Sequence, residues 1–159
     1  MLMIPSPGHT QVQEFIIEKD PSIKSKLGKT DLGQSQIYDA DLLIVVCSSI
    51  SRSVGRYGDR GKDFYSIIDG GFASMLVLLT SINEGIEASF VGAFENQKVS
   101  KILNLPEYVK LIGIITLGYP AERPEKFERI DISKLGYYSK YGNLSPQGRF
   151  ILFIYFELN

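Results

Sequence analysis

The chain has 159 residues, of which 44% are hydrophobic and 22% charged, a composition typical of one globular domain. Its 17 basic and 18 acidic residues are interleaved and give a net charge of -1, so we expect neither nucleic acid nor an anionic membrane as a partner. A single cysteine and a single histidine cannot form a zinc site or a disulfide framework. We therefore expect one soluble domain over residues 1–159, in the cytoplasm.

The first elements are short. Residues 14–18 predict a strand, and Asp20 followed by Pro21 predicts the start of a helix that ends at Gly28. The polar stretch 30–36 predicts a loop.

The centre of the chain begins with a continuous apolar run at 42–47, which predicts an interior strand covered on both faces. Cys47 in that run is expected to be a small buried residue. Residues 48–62 are rich in Ser, Gly and Arg and predict a long surface loop, which either borders a ligand or is simply mobile.

Residues 64–84 carry apolar side chains at three- and four-residue spacing and predict the longest helix, about 30 Å long, with Gly85 as its stop signal. Its apolar positions extend over much of the circumference, so it must be covered on several sides. The pair Gly70 and Gly71 predicts a close approach of another backbone or a ligand, and we favour a partner helix.

The remaining elements are a strand, a short helix, a buried strand, a turn-rich section and a β-like tail, over residues 87–91, 96–103, 111–117, 118–126 and 149–158. Intermixed strands and helices predict an α+β fold, an α/β sandwich in which helices flank a mixed sheet.

Four blocks between residues 4 and 142 resemble the nitroreductase family of flavoproteins in order and spacing. The first, residues 4–15, is similar to the family pattern Ala-Pro-Ser-x-x-Asn-x-Gln-Pro-Trp-x-Phe. It matches at Pro5, Ser6, Gln11 and Phe15, whereas His9 replaces Asn and Val12-Gln13 replace Pro-Trp. The other blocks are Tyr65-Ser66-Ile67-Ile68-Asp69-Gly70-Gly71-Phe72-Ala73, Ser89-Phe90-Val91-Gly92-Ala93-Phe94-Glu95, and Ile115-Thr116-Leu117-Gly118-Tyr119-Pro120-Ala121-Glu122 with Lys126 and Arg129 downstream.

The resemblance implies an FMN-dependent oxidoreductase that takes hydride from NAD(P)H and passes it through the flavin to nitroaromatic, quinone or related acceptors. It also implies a homodimer around the long central helix, and chemistry without a catalytic side chain. The flavin contacts it implies are Pro5, Ser6, His9 and Gln11, then backbone at Val91, Gly92 and Ala93, and the phosphate-binding cations Lys126 and Arg129.

Other interpretations remain open from the residues alone. Residues 91–93 also fit an ordinary strand-to-turn transition, and the charged run 122–131 also fits solvated surface. Family members carry an Arg-rich segment before the first block, and this sequence begins beyond it, so we expect weaker FMN binding. The alternatives are a non-catalytic scaffold and a small-molecule binding protein of the same fold that uses His9. The tail 143–159 does not resemble the family.

Overall fold

The computed structural model describes residues 3–30, 35–120, 125 and 127–144. The chain separates into two units, Met1–Ala121 and Glu122–Asn159. In the second unit the described residues include a 3-10 turn, Ile132–Lys134, and an isolated bridge between Tyr137 and Leu144. The single domain expected over residues 1–159 stays a prediction, and the β-like tail expected at 149–158 lies outside the described residues.

The sheet of the first unit has four strands in the order β1-β2-β4-β3. They are β1 (Gln13–Glu18), β2 (Leu42–Ser49), β3 (Glu87–Val91) and β4 (Val109–Gly118). Every pair of neighbours is antiparallel, so the described sheet lacks the parallel strand that the expected mixed sheet would need. The apolar run that begins β2 lies in the interior of the sheet, as its continuous hydrophobicity predicted.

Helices cover both faces of the sheet. They are α1 (Pro21–Gly28), α2 (Gln36–Asp39), α3 (Ile50–Arg60), α4 (Ser66–Asn83) and α5 (Asn96–Ile102). The predicted start of α1 is confirmed, because the Asp20 carboxylate accepts hydrogen bonds from the backbone N–H groups of Ser22 and Ile23 at 2.7 and 3.3 Å.

Two hydrophobic clusters lie on opposite faces of the sheet because neighbouring strand residues alternate in direction. On one face, Leu43, Val45 and Cys47 pack with residues of α1, α2 and α5. On the other, Val46 packs with Ala73 and further residues of α4. The chain is therefore the α+β sandwich that its sequence predicted, with β2 buried on both sides.

The prediction of a surface loop at 48–62 is wrong. Helix α3 occupies most of it and continues through a π-helical segment, Gly61–Tyr65, into α4. Three glycines disfavour a helix there, but one of them, Gly58, takes φ 54° and ψ −139° and kinks α3 instead of ending it. Tertiary contacts of the α3 side chains, described below, offset the weak propensity.

Helix α4 confirms most of the long-helix prediction. Gly85 has φ +72° and ends it, and the Ile86 N–H returns to the Ser81 carbonyl at 2.9 Å. A Cβ at Gly70 would lie 2.5 Å from Cγ1 of Ile112 in β4. The absence of a side chain at Gly70 therefore leaves room for Ile112 of the sheet. The sequence had led us to favour a partner helix as the explanation.

The combined run Ile50–Asn83 is long and apolar enough, by length and composition alone, to cross a membrane. The core helix of a soluble protein can pass the same test. Because Gly58 interrupts the run with a non-helical conformation, it is not one straight rod.

Candidate functional site

The loop before β1, residues 5–11, carries the first group of predicted site residues. It contains a 3-10 turn, Pro7–His9, and Ser6 Oγ accepts a hydrogen bond from the Gln11 N–H at 3.0 Å. Gly8, His9 and Gln11 all have positive φ, at 54°, 60° and 46°. Non-glycine residues seldom adopt this conformation, and two of them in one loop are typical of a functional site.

His9 and Gln11 are directly joined. The two side-chain nitrogens, Nε2 of each, lie 2.7 Å apart, and the amide nitrogen of Gln11 is a donor, so the His9 nitrogen accepts. In the neutral ring Nδ1 then carries the proton. Both side chains are exposed, so the pair offers an outward donor at a defined position.

Arginines of α3 hold this loop, which the sequence analysis missed. Arg56 donates to the Gly8 carbonyl at 3.0 Å, and Arg52 donates to the Gln11 carbonyl at 2.5 Å and pairs with Glu14. A Cβ at Gly8 would lie 2.7 Å from Arg56 Cζ, so only glycine fits this contact. The usable signal was the four-residue spacing of Arg52 and Arg56, which places both cations on one face of a helix.

The two arginines differ in whether a carboxylate compensates their charge. Glu14 compensates Arg52, whereas no carboxylate of the described residues forms an ion pair with Arg56. Arg56 is exposed and lies 5.6 Å from the Tyr57 ring centroid. It is thus a positive group beside the 5–11 loop with donors left for an anion.

The second group of predicted residues, 91–93, follows β3; we call it the β3 exit. Val91 is fully buried and is the last residue of β3 paired with β4, opposite Ile114, so the structure does not expose this predicted contact. Gly92 and Ala93 are exposed. A Cβ at Gly92 would meet only the Phe90 ring, at 3.4 Å, so an aromatic ring system can approach this backbone.

The two groups adjoin the two edge strands of the sheet, β1 and β3. Gln13 of β1 pairs with Ser48, and Ser49 pairs with Val109, so β1 begins where β2 ends and β4 begins. Strand β3 runs toward that same end but stops short of it, because its last residue, Val91, pairs with Ile114 in the middle of β4. The 5–11 loop and the β3 exit are therefore separated by about 14 Å across three strand spacings and by a further distance along the strands, and no described backbone hydrogen bond joins them.

The structure does not test the remaining predicted cations. Lys126 lies outside the described residues. Arg129 is exposed and belongs to the second unit, so its role in phosphate binding stays a prediction.

Helix α4 contains a buried acid on its inner face. Asp69 is fully buried, and neither carboxylate oxygen has a hydrogen-bond partner among the described residues. Burial raises the pKa of Asp69 to about 6, from an ordinary value of 3.8. Burial, with a smaller effect of Glu14, likewise raises the pKa of the Cys47 thiol to about 11, so Cys47 is the inert buried residue that its sequence predicted.

These features define a class of fold, the α+β sandwich in which an antiparallel sheet lies between two helical layers. The Nitroreductase family model matches residues 7–119. The chain therefore belongs to the nitroreductase family and is an oxidoreductase.

Individual relatives are distant. An NADH dehydrogenase of Thermus thermophilus is 23% identical, over 84% of this chain and 78% of the relative. An FMN reductase (NAD(P)H) of Bacillus subtilis is 26% identical, over 87% of this chain and 61% of the relative. The solved structure of the NfrA1 nitroreductase of B. subtilis has a TM-score of 0.80 at 18% identity, covering 97% of this chain and 68% of that one. This last likeness shows the fold.

Proposed function

We propose that this chain binds FMN and uses it to transfer hydride from NAD(P)H to small acceptors such as nitroaromatic compounds or quinones. The observation that carries the proposal is the exposure of two segments next to the edge strands of a nitroreductase-family fold, the 5–11 loop before β1 and the β3 exit after β3. The name of the B. subtilis relative, an FMN reductase, supports the choice of flavin.

The available groups fit FMN chemically. Its ring has acceptor atoms along one edge, its ribityl chain has hydroxyls, and its phosphate is anionic. The β3 exit offers open backbone at Gly92 and Ala93, the loop offers the polar side chains of Ser6, His9 and Gln11, and Arg56 offers a cation without a described carboxylate partner. A charge-assisted bond from a guanidinium is the kind that phosphate binding requires.

Bound FMN would supply the redox chemistry, by accepting a hydride and returning electrons to a second substrate. The chain's own residues would position the flavin and polarise it. Because Gly92 lacks a side chain, a flat ring can reach the backbone of the β3 exit. The bond from Gln11 fixes the His9 ring with its Nδ1 proton available, and Arg56 holds the loop through Gly8 while keeping donors for an anion.

We infer in addition that the protein is a homodimer that pairs through α4. Five large apolar side chains project from the outer face of this helix with exposed fractions from 47% to 67%: Ile67, Phe72, Met75, Leu79 and Ile82. Such a contiguous apolar face is typical of a protein interface. We place the protein in the cytoplasm, for which the support is its single, buried cysteine.

Titration of FMN against the purified full-length chain, followed by quenching of flavin fluorescence, tests the proposal. We expect saturable binding, and about tenfold weaker binding for Arg56→Met because a charge-assisted bond is lost. Arg60→Met is the matched control, since Arg60 contacts the Phe64 and Tyr65 rings instead of the loop. An absence of binding at micromolar FMN would contradict the proposal and favour a scaffold without redox activity.

A further inference from the structure

A groove lies between α1 and α5, on the face of the sheet opposite α4. Its volume is about 430 Å³, which is large enough for a small ligand. The floor includes the half-buried Ile102 and the buried Thr30, whose hydroxyl donates to the Leu27 carbonyl at 2.6 Å. The side chains of Lys26, Lys29, Lys98 and Lys101 line it, mainly through their aliphatic stems, and each ends in an ammonium group; we call it the lysine groove.

These four charges are only partly compensated. Lys98 pairs with Glu95 at 2.6 Å, and Lys26 lies in the field of the Asp20 carboxylate. Lys29 and Lys101 form no ion pair among the described residues. Both are exposed, and they come from different helices, so their convergence on one cavity is produced by the packing of α1 against α5. Two uncompensated cations over an apolar floor suit a ligand with adjacent phosphates and an apolar body.

The groove adjoins the β3 exit. The Thr30 carbonyl accepts a hydrogen bond from the Glu95 N–H at 2.9 Å, and Glu95 is two residues after Ala93 in the chain. Two residues span at most about 7 Å. Thr30, in the wall of the lysine groove, is therefore hydrogen-bonded to a residue that lies within about 7 Å of Ala93. Ala93 belongs to the backbone proposed to face the flavin ring.

We propose that the lysine groove binds the diphosphate of a nucleotide, and that in NAD(P)H it holds the pyrophosphate while the nicotinamide extends toward Gly92 and Ala93. The diphosphate site stands on the groove alone. The claim that the nicotinamide extends toward Gly92 and Ala93 rests on the proposed function.

The test measures binding of ADP and of inorganic pyrophosphate to the full-length chain by calorimetry, without flavin. In the double variant Lys29→Ala/Lys101→Ala we expect the dissociation constant for ADP to rise about tenfold or more, because two charge-assisted contacts are lost. The matched control is Lys134→Ala/Lys140→Ala, which removes the same charge from exposed positions of the second unit. FMN affinity should be the same in all three proteins.

Steady-state kinetics then test the nicotinamide direction. We expect the double variant to raise KM for NADPH while kcat stays unchanged, as for loss of uniform binding. Equal ADP affinity in the double variant and the control would overturn the groove as a site, and pyrophosphate binding as tightly as ADP would overturn its assignment to a nucleotide. If ADP binding depends on the lysines but FMN never binds, the groove stands and the proposed function falls.

Discussion

The two helical layers that cover the sheet differ on their outer surfaces. Both have apolar inner surfaces that pack on β2 and β4. The outer surface of α1 and α5 carries the lysines of the groove, whereas that of α4 carries five exposed apolar side chains. A charged surface is stable in water and suits an anion, but an apolar face of this size is stable only when covered. Under the two proposals made above, the charged layer binds a nucleotide and the apolar layer pairs with a second copy of the chain.

Introducing a charge on the α4 layer should have the largest effect, a change in oligomeric state. Leu79 is 55% exposed on the outer face of α4, and Leu79→Glu would bury a carboxylate in the proposed interface at a cost of several kcal/mol. We expect the mass measured by light scattering after size exclusion to fall from that of a dimer to that of one chain.

The same charge on the other layer is the control for this experiment. Lys101→Glu places a carboxylate on α5 and should leave the mass unchanged. A wild-type protein that is already monomeric, or a Leu79→Glu variant that stays dimeric, would remove the distinction between the two outer surfaces.

Two buried carboxylates also differ, Glu18 at the end of β1 and Asp69 within α4. Glu18 accepts a hydrogen bond from the Asp20 N–H at 2.6 Å, whereas Asp69 has no described hydrogen-bond partner. Because the pKa of Asp69 in the folded chain, about 6, exceeds its ordinary value, folding favours the protonated form. The free energy of unfolding should therefore decrease as the pH rises from about 4 to about 6, by about 3 kcal/mol in all.

Asp69→Asn removes the ionisable group and so should remove this decrease. Chemical denaturation is expected to find the variant more stable than the parent at about pH 8 but not at about pH 4. Asp59→Asn, at an exposed position of α3, is the control and should follow the parent at both. Parallel pH profiles for Asp69→Asn and the parent protein would show that Asp69 ionises freely in the fold.

Gly70 tests how tightly α4 packs on the sheet. Its Cβ would lie 2.5 Å from Ile112 Cγ1 and 3.1 Å from Ile112 Cβ, so Gly70→Ala should overpack the core and cost about 1–3 kcal/mol in urea denaturation. Gly55→Ala is the matched control within α3, where an added Cβ meets nothing within 4 Å. If both variants are equally stable, the close packing of α4 on β4 is incorrect.

The smallest effect is expected for the corresponding glycine of the other layer. A Cβ at Gly28 would lie 2.5 Å from Cζ of the Tyr38 ring, as close as the contact at Gly70, but Tyr38 is 42% exposed and its ring can move outward. Gly28→Ala should therefore cost less than about 1 kcal/mol in the same assay. A cost greater than that of Gly70→Ala would reverse the order of packing tightness between the layers.

Most of the fold could be predicted because its signals are local. The apolar run at 42–47 predicted β2, and the Asp20-Pro21 pair predicted α1. Helix α3 was not predicted, because its Ser, Gly and Arg content favours a loop, although Ile50, Val54 and Tyr57 follow a helical spacing. It is held instead by contacts such as that of Arg56 with Gly8, 48 residues away in the chain, which local propensity does not include.

The candidate site was predictable only in part for the same reason. The family resemblance indicated Ser6, His9 and Gln11 and the backbone at Gly92. It did not indicate Arg52 and Arg56, because their approach to the loop depends on the packing of α3. The lysine groove was equally hidden, since Lys29 and Lys101 are far apart in the chain and converge only when α1 packs on α5.

Anaerobic reduction of flavin tests the central claim most directly. The full-length chain is mixed with FMN, and NADH or NADPH is added while the visible flavin absorbance is recorded. We expect the flavin band to bleach with saturating dependence on the nicotinamide and to return when a quinone or nitroaromatic compound is added. A flavin band that bleaches no faster than free FMN with the same donor would contradict the assignment of this chain as an FMN-dependent oxidoreductase.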